Sequence, residues 1–150
     1  MAEDLRVEGT ELISQLEALA KQYQLVAIYT FGSRAKEIAA RLAGEAIEAE
    51  YTISDVDIGV LPTDRIHLTA KDKVRLMASF EDLFTVPRVD LIVLPEAPTF
   101  LALDIVRGEL LFTSDSDAEA DYQLYILRCA GDLASWELER RRMVLDGEAY

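Results

Sequence analysis

A chain of 150 residues, 51% of them apolar, is long enough to bury a core of its own and too short for a second domain of ordinary size. Its 28 Asp and Glu against 15 Lys and Arg give a formal charge of −13, which repels phosphate backbones, disfavours direct nucleic-acid binding and suits a basic partner or divalent cations. The single cysteine, Cys129, excludes an internal disulfide and a cysteine-built zinc site, and it reads as a buried thiol.

No uncharged apolar run of about 18 residues is present, and Met1-Ala2-Glu3-Asp4 lacks the basic start of a signal peptide, so a cytoplasmic protein without membrane contact is expected. Leu12, Leu16, Leu19 and Tyr23 recur at spacings of four, three and four, which predicts a helix from about Thr10 to Gln24 with one buried stripe. Leu25 to Phe31, rich in β-formers, predicts a strand that stops at Gly32-Ser33. Arg34 to about Glu50 carries Ile38, Leu42 and Ile47 among alanines and charges, a helical composition weakened at Gly44. A second strand is expected from Asp55 to Leu61 and a third from Arg88 to Leu94. Between them, from Thr69 to Phe84, Val74, Met77, Phe80 and Phe84 fall at helical spacing.

A short helix near Thr99 to Arg107 and an apolar segment, Glu109 to Thr113, complete a core of about residues 25–113. Within Ser116 to Val144, Tyr122, Ile126, Cys129, Leu133 and Trp136 step by four, three, four and three, and Met143 resumes the pattern beyond Arg140. That seam suits a helical partner, or else the chain's own core; Gly131 within it would permit close approach. The alternation of helices and strands argues an α/β domain, a small sheet flanked by helices with one long C-terminal helix, spanning residues 1–150 as a single unit.

The chemistry concentrates where strands begin. Asp55 and Asp57 alternate with Val56 and Ile58, so the two carboxylates share a side, raise one another's pKa and call for a cation. Asp90 stands near the start of the third strand in the same way, and a helix-containing crossover between the two strands implies that they run parallel, bringing three carboxylates to one end of the sheet. If the first strand runs antiparallel to the second, Gly32-Ser33 arrives there too. Three aspartates with oxygen ligands from a substrate suit Mg²⁺, with room for two ions. Glycine lets backbone approach a phosphate, the following helix start points amides at it, and Ser33 and Arg34 add a hydroxyl and a guanidinium. Phosphate with metal implies a nucleotide.

Each fragment taken alone has an ordinary explanation. Ser114-Asp115-Ser116-Asp117 is an Asp-x-Asp that merely precedes a helix, and a lone Gly-Ser is a common turn. The ordered set of strand, Gly-Ser, strand-opening Asp-x-Asp and strand-opening Asp is far more specific. His67, the one histidine, reads as an exposed loop residue. Arg140-Arg141-Arg142, the sole basic cluster, sits near a helix end where cations suit the dipole.

At "TFGSRA", "SDVDIGV" and "RVDLIVL" the sequence resembles the nucleotidyltransferase superfamily that includes DNA polymerase beta, and within it the minimal, single-domain branch with the MntA-type antitoxins. The resemblance covers about residues 25–113. It implies the nucleotidyltransferase fold, a HEPN-family ribonuclease toxin as hetero-oligomeric partner, and transfer of AMP from ATP to a toxin tyrosine. By position it implies that Gly32, Ser33 and Arg34 hold the triphosphate and that Asp55, Asp57 and Asp90 bind two Mg²⁺, Asp90 also taking the acceptor proton. Two departures stand out: the 21 residues from Arg34 to Ser54 form a longer connection than many minimal members have, and Lys36 stands where they often show arginine. Two other readings remain: a binding module that silences its partner by docking, and a nucleotidyltransferase acting on a small molecule such as an aminoglycoside. The second would need an acceptor-binding domain for which the chain has no length.

Overall fold

Four short segments dominated by branched, leucine and aromatic side chains pair into one mixed sheet, which a computed structural model describes together with its flanking helices over residues 2–45 and 55–146. The strands are β1 (Leu25–Phe31), β2 (Val56–Pro62), β3 (Val89–Val93) and β4 (Glu109–Thr113), in the spatial order β3-β2-β1-β4. β1 is antiparallel to both of its neighbours, and β2 is parallel to β3. This matches the crossover expected from a helix-containing connection, and α3 (Ala70–Phe84) is that helix.

One face of the sheet, with Ile28, Val56, Ile58, Val60, Val89 and Val93, packs against α1 (Ala2–Tyr23), α2 (Ala35–Ala43) and α3. The other, with Ala27, Tyr29 and Leu61, packs against α4 (Thr99–Val106) and the first half of α5 (Ser116–Leu145). Period-two alternation within β1 and β2 divides the residues between these two cores.

α1 begins at Ala2, eight residues earlier than its apolar stripe predicts, because polar residues of good helix propensity extend it past the buried Gly9, Leu12, Leu16 and Ala20. A Cβ on Gly9 would lie 2.6 Å from the Leu42 carbonyl oxygen, so this glycine is where α1 crosses α2. α2 ends at Ala43 rather than near Glu50. Gly44 caps it in the left-handed region (φ 72°) and donates to the carbonyls of the preceding turn, and the expected place of Ile47 lies outside the described residues.

α3 starts with a capping box between Thr69 and Asp72, and its bonds hold the Asp72 carboxyl below its usual range. Of the residues expected to face inward, Phe80 and Phe84 are buried and Met77 is half-buried, but Val74 is exposed and Leu76, about 200° around the helix from it, is buried instead. Cys129 is half-buried rather than enclosed, and an added Cβ on Gly131 would meet nothing within 4 Å, so that glycine serves no close approach among the described residues.

Candidate active site

The register of the sheet decides what meets what. Asp57 on β2 stands opposite Asp90 on β3 and, on its other side, opposite Phe31 at the end of β1. Asp55 immediately precedes β2, and Gly32-Ser33 immediately follows β1. The three aspartates and the glycine turn therefore gather at one end of the sheet. Asp57 shares its side of β2 with Gly59 and Leu61, so the carboxylates belong to the face covered by α4 and α5.

Gly32 touches the site most closely. It adopts φ 78°, a conformation that L side chains rarely take, and a Cβ there would collide with Oδ2 of Asp57. The backbone thus passes directly against the carboxylate. Behind it, buried Thr30 donates its hydroxyl to the Asp57 carbonyl oxygen at 3.0 Å, pinning β1 to β2 where the site opens. α2 begins two residues after Ser33, and its N-cap, Arg34, offers no side-chain acceptor to the first amides.

Electrostatics mark the same place. Burial, followed by the charges of Asp90 and Asp55, pushes the Asp57 carboxyl above its ordinary value. Asp55 is steadied by the exposed Arg88, whose Nε lies 3.6 Å from Oδ2. The Arg34 guanidinium forks onto Glu37, with Nε 2.9 Å from Oε2 and a second nitrogen 3.0 Å from Oε1. That bond raises the arginine and holds the Glu37 carboxyl below its usual range. Any phosphate contact by Arg34 is shared with Glu37. Lys36 is exposed in the first turn of α2.

Among the described residues no three acidic, histidine or cysteine side chains stand close enough to hold a metal ion by themselves. The donor set still fits Mg²⁺, which uses one or two carboxylates and completes its shell with water and substrate phosphate oxygens. The carboxylate crowding that raises Asp57 is the complementary sign, since a cation would relieve it.

Sequence reasoning missed three supports of this site. Thr30 looked like any strand residue. Arg88 opens the predicted third strand, and nothing local in the sequence marks it as a partner for Asp55. Gly59 leaves room for Ile105 of α4, whose Cγ2 would collide with a Cβ there, bringing α4 down on the sheet one alternation from Asp57. A glycine inside an otherwise buried strand was the available signal.

Residues 14–117 match the family model described as "Polymerase beta, Nucleotidyltransferase". No curated protein sequence matches the chain. Among solved structures it is similar to a chain of a toxin-antitoxin complex with AMP-PNP, at 22% identity and a TM-score of 0.62 over 91% of this chain and 98% of that one. It is similar also to a chain in the complex of a tri-AMPylated Shewanella oneidensis HEPN toxin with an MNT antitoxin, at 22% identity and a TM-score of 0.58 over 94% and 99%. A mutant MntA-HpeT toxin-antitoxin structure matches at 21% identity and a TM-score of 0.62 over 91% and 98%. At these identities the likeness is one of fold.

Proposed function

The chain belongs to the polymerase beta nucleotidyltransferase family, and from that premise we propose that it is an antitoxin-type protein adenylyltransferase. In this reading it moves AMP from ATP to a hydroxyl, a tyrosine's, on a partner HEPN ribonuclease toxin and so neutralises it. The observation that carries the proposal is the in-register pair Asp57 and Asp90 on parallel strands, set against a left-handed glycine at the end of the neighbouring antiparallel strand. The partner and the AMP group are supported by relatives of the same fold, one in complex with a tri-AMPylated HEPN toxin and one with AMP-PNP.

Gly32 and Ser33 cradle the triphosphate with backbone amides and a hydroxyl, since no Cβ stands in the way at Gly32. Asp55, Asp57 and Asp90 are the carboxylates that would hold Mg²⁺, and the ions, when bound, supply positive charge to the reacting phosphate. Asp90 is the exposed member, placed to take the proton as the acceptor oxygen bonds to the α-phosphorus. The bond from that phosphorus to the bridging oxygen then breaks and pyrophosphate leaves in line. Arg88 steadies Asp55, and Thr30 fixes the backbone at Asp57. Because the proposed reaction consumes ATP, we place it in the cytoplasm; separately, no helix among the described residues is long and apolar enough to cross a membrane.

The experiment is to incubate the protein with Mg²⁺, α-labelled ATP and any HEPN protein that co-purifies with it. The partner should become labelled on tyrosine, and Asp55→Asn or Asp57→Asn should abolish the label. Silencing of the partner without label would favour the docking reading, which the exposed apolar residues of α5 independently invite.

A further inference from the structure

The seam of α5 is only half used. Ile126 is buried, and Tyr122 and Cys129 are half-covered by the chain's own core, but the same heptad register runs on through Leu133, Trp136, Arg140 and Met143, all exposed. Leu133 is 43% and Trp136 58% exposed, while Phe100 at the start of α4, 54% exposed, lines a common groove with them. A contiguous apolar strip of this kind marks an interaction surface.

Charge selects the occupant. With Leu133 and Arg140 at the a positions and Trp136 and Met143 at d, the charged e and g positions are Glu137, Asp132, Glu139 and Asp146, all acidic. A second copy laid on the strip, parallel or antiparallel, would set acid against acid, with −13 on each chain adding to the repulsion. The arginines offset part of this, since Arg141 and Arg142 pair with Glu137 and Asp146 on the same helix and Arg140 lies over the Trp136 ring, and among the described residues they leave Asp132 and Glu139 as the uncompensated acids beside the seam.

We propose that the distal half of α5, with Phe100, is a docking strip for a helix of another protein whose apolar seam is flanked by lysine or arginine. The inference shares no residue with the transfer site, so either can fail without the other.

Trp136 is the chain's only tryptophan and reports occupancy directly. The full chain is titrated with a synthetic helix of about three heptads carrying leucine at a and d and lysine at e and g, and with a twin carrying glutamate at e and g. The lysine peptide should shift Trp136 emission to shorter wavelength and bind about tenfold or more tightly than its twin, the difference shrinking with added salt. Leu133→Asn should weaken that binding about tenfold while leaving the far-UV circular dichroism and melting of the chain unchanged, because Leu133 is half outside the core. Equal binding of the two peptides, binding of neither, or a dimer of the chain alone that Leu133→Asn dissolves would each overturn the proposal.

Discussion

At the scale of single residues, Gly32 and Asp57 constrain one another. The glycine is required twice, by its φ of 78° and by the carboxylate that fills the place of its side chain. Gly32→Ala should therefore cost about 1–2 kcal/mol in unfolding free energy from the left-handed backbone alone, and more from the contact with Asp57, with loss of AMP transfer. Denaturant unfolding and the labelling assay read the two effects separately. Asp57 holds its proton more tightly in the folded chain than in the unfolded one, so its contribution to stability is present at low pH and is lost as pH rises from the ordinary carboxylate range through the raised value. In buffer free of divalent ions, Asp57→Asn should be as stable as the parent near pH 3 and more stable at pH 7, measured by thermal unfolding at both. A parent that gains on the variant as pH rises would refute the crowding argument.

At the scale of elements, polar groups buried between helix and sheet fix where α5 lies. Fully buried Tyr29 donates its hydroxyl to Glu119, itself nearly buried, and Gln123 donates to the same carboxylate oxygen. Burial and the neighbouring carboxylate push the Tyr29 phenol well up, and burial pushes Tyr122 beside it up to about 12, so both stay protonated across the physiological range and Tyr29 remains a donor. Tyr29→Phe would leave Glu119 with one donor fewer in a dry place. The expected cost is about 1–3 kcal/mol, together with faster amide exchange in the first turns of α5. On the opposite side of the sheet the Phe80 and Phe84 rings stack at 6.2 Å, Gly9 lets α1 cross α2, and Arg41 of α2 donates to the Phe84 carbonyl oxygen at 2.7 Å. α4 is held by a third device, Ile105 seated where Gly59 has no side chain. Such close-packed contacts keep the rim of the candidate site from sliding.

At the scale of the whole molecule, the proposed transfer site and the apolar strip of α5 use different residues, so the proposal makes binding a partner and modifying it separable acts. Joint substitution of Asp55 and Asp57 by asparagine should abolish labelling of the proposed HEPN partner yet change affinity for it by less than about 1 kcal/mol, because the removed charges lie outside the strip. Calorimetry beside the labelling assay would check it, and parallel loss of both would tie the docking surface to the carboxylates. The overall charge of −13 works in the same direction, favouring a partner with a basic docking face.

The sequence alone carried the order of elements, the alternation that puts Asp55 and Asp57 on one side, and the parallel pairing that brings Asp90 beside them, because strand period and crossover length are local properties of the chain. Those same local rules placed Phe80 and Phe84 inward on α3 but chose Val74 over Leu76, both apolar, where only contact with the sheet selects Leu76. They left Thr30, Gly59 and Arg88 without roles, since each acts through a residue distant in the chain. Tertiary structure also decided how far the seam of α5 is covered. A heptad states that a helix has an apolar side, but what lies against that side depends on where the sheet ends, and here it ends before Leu133.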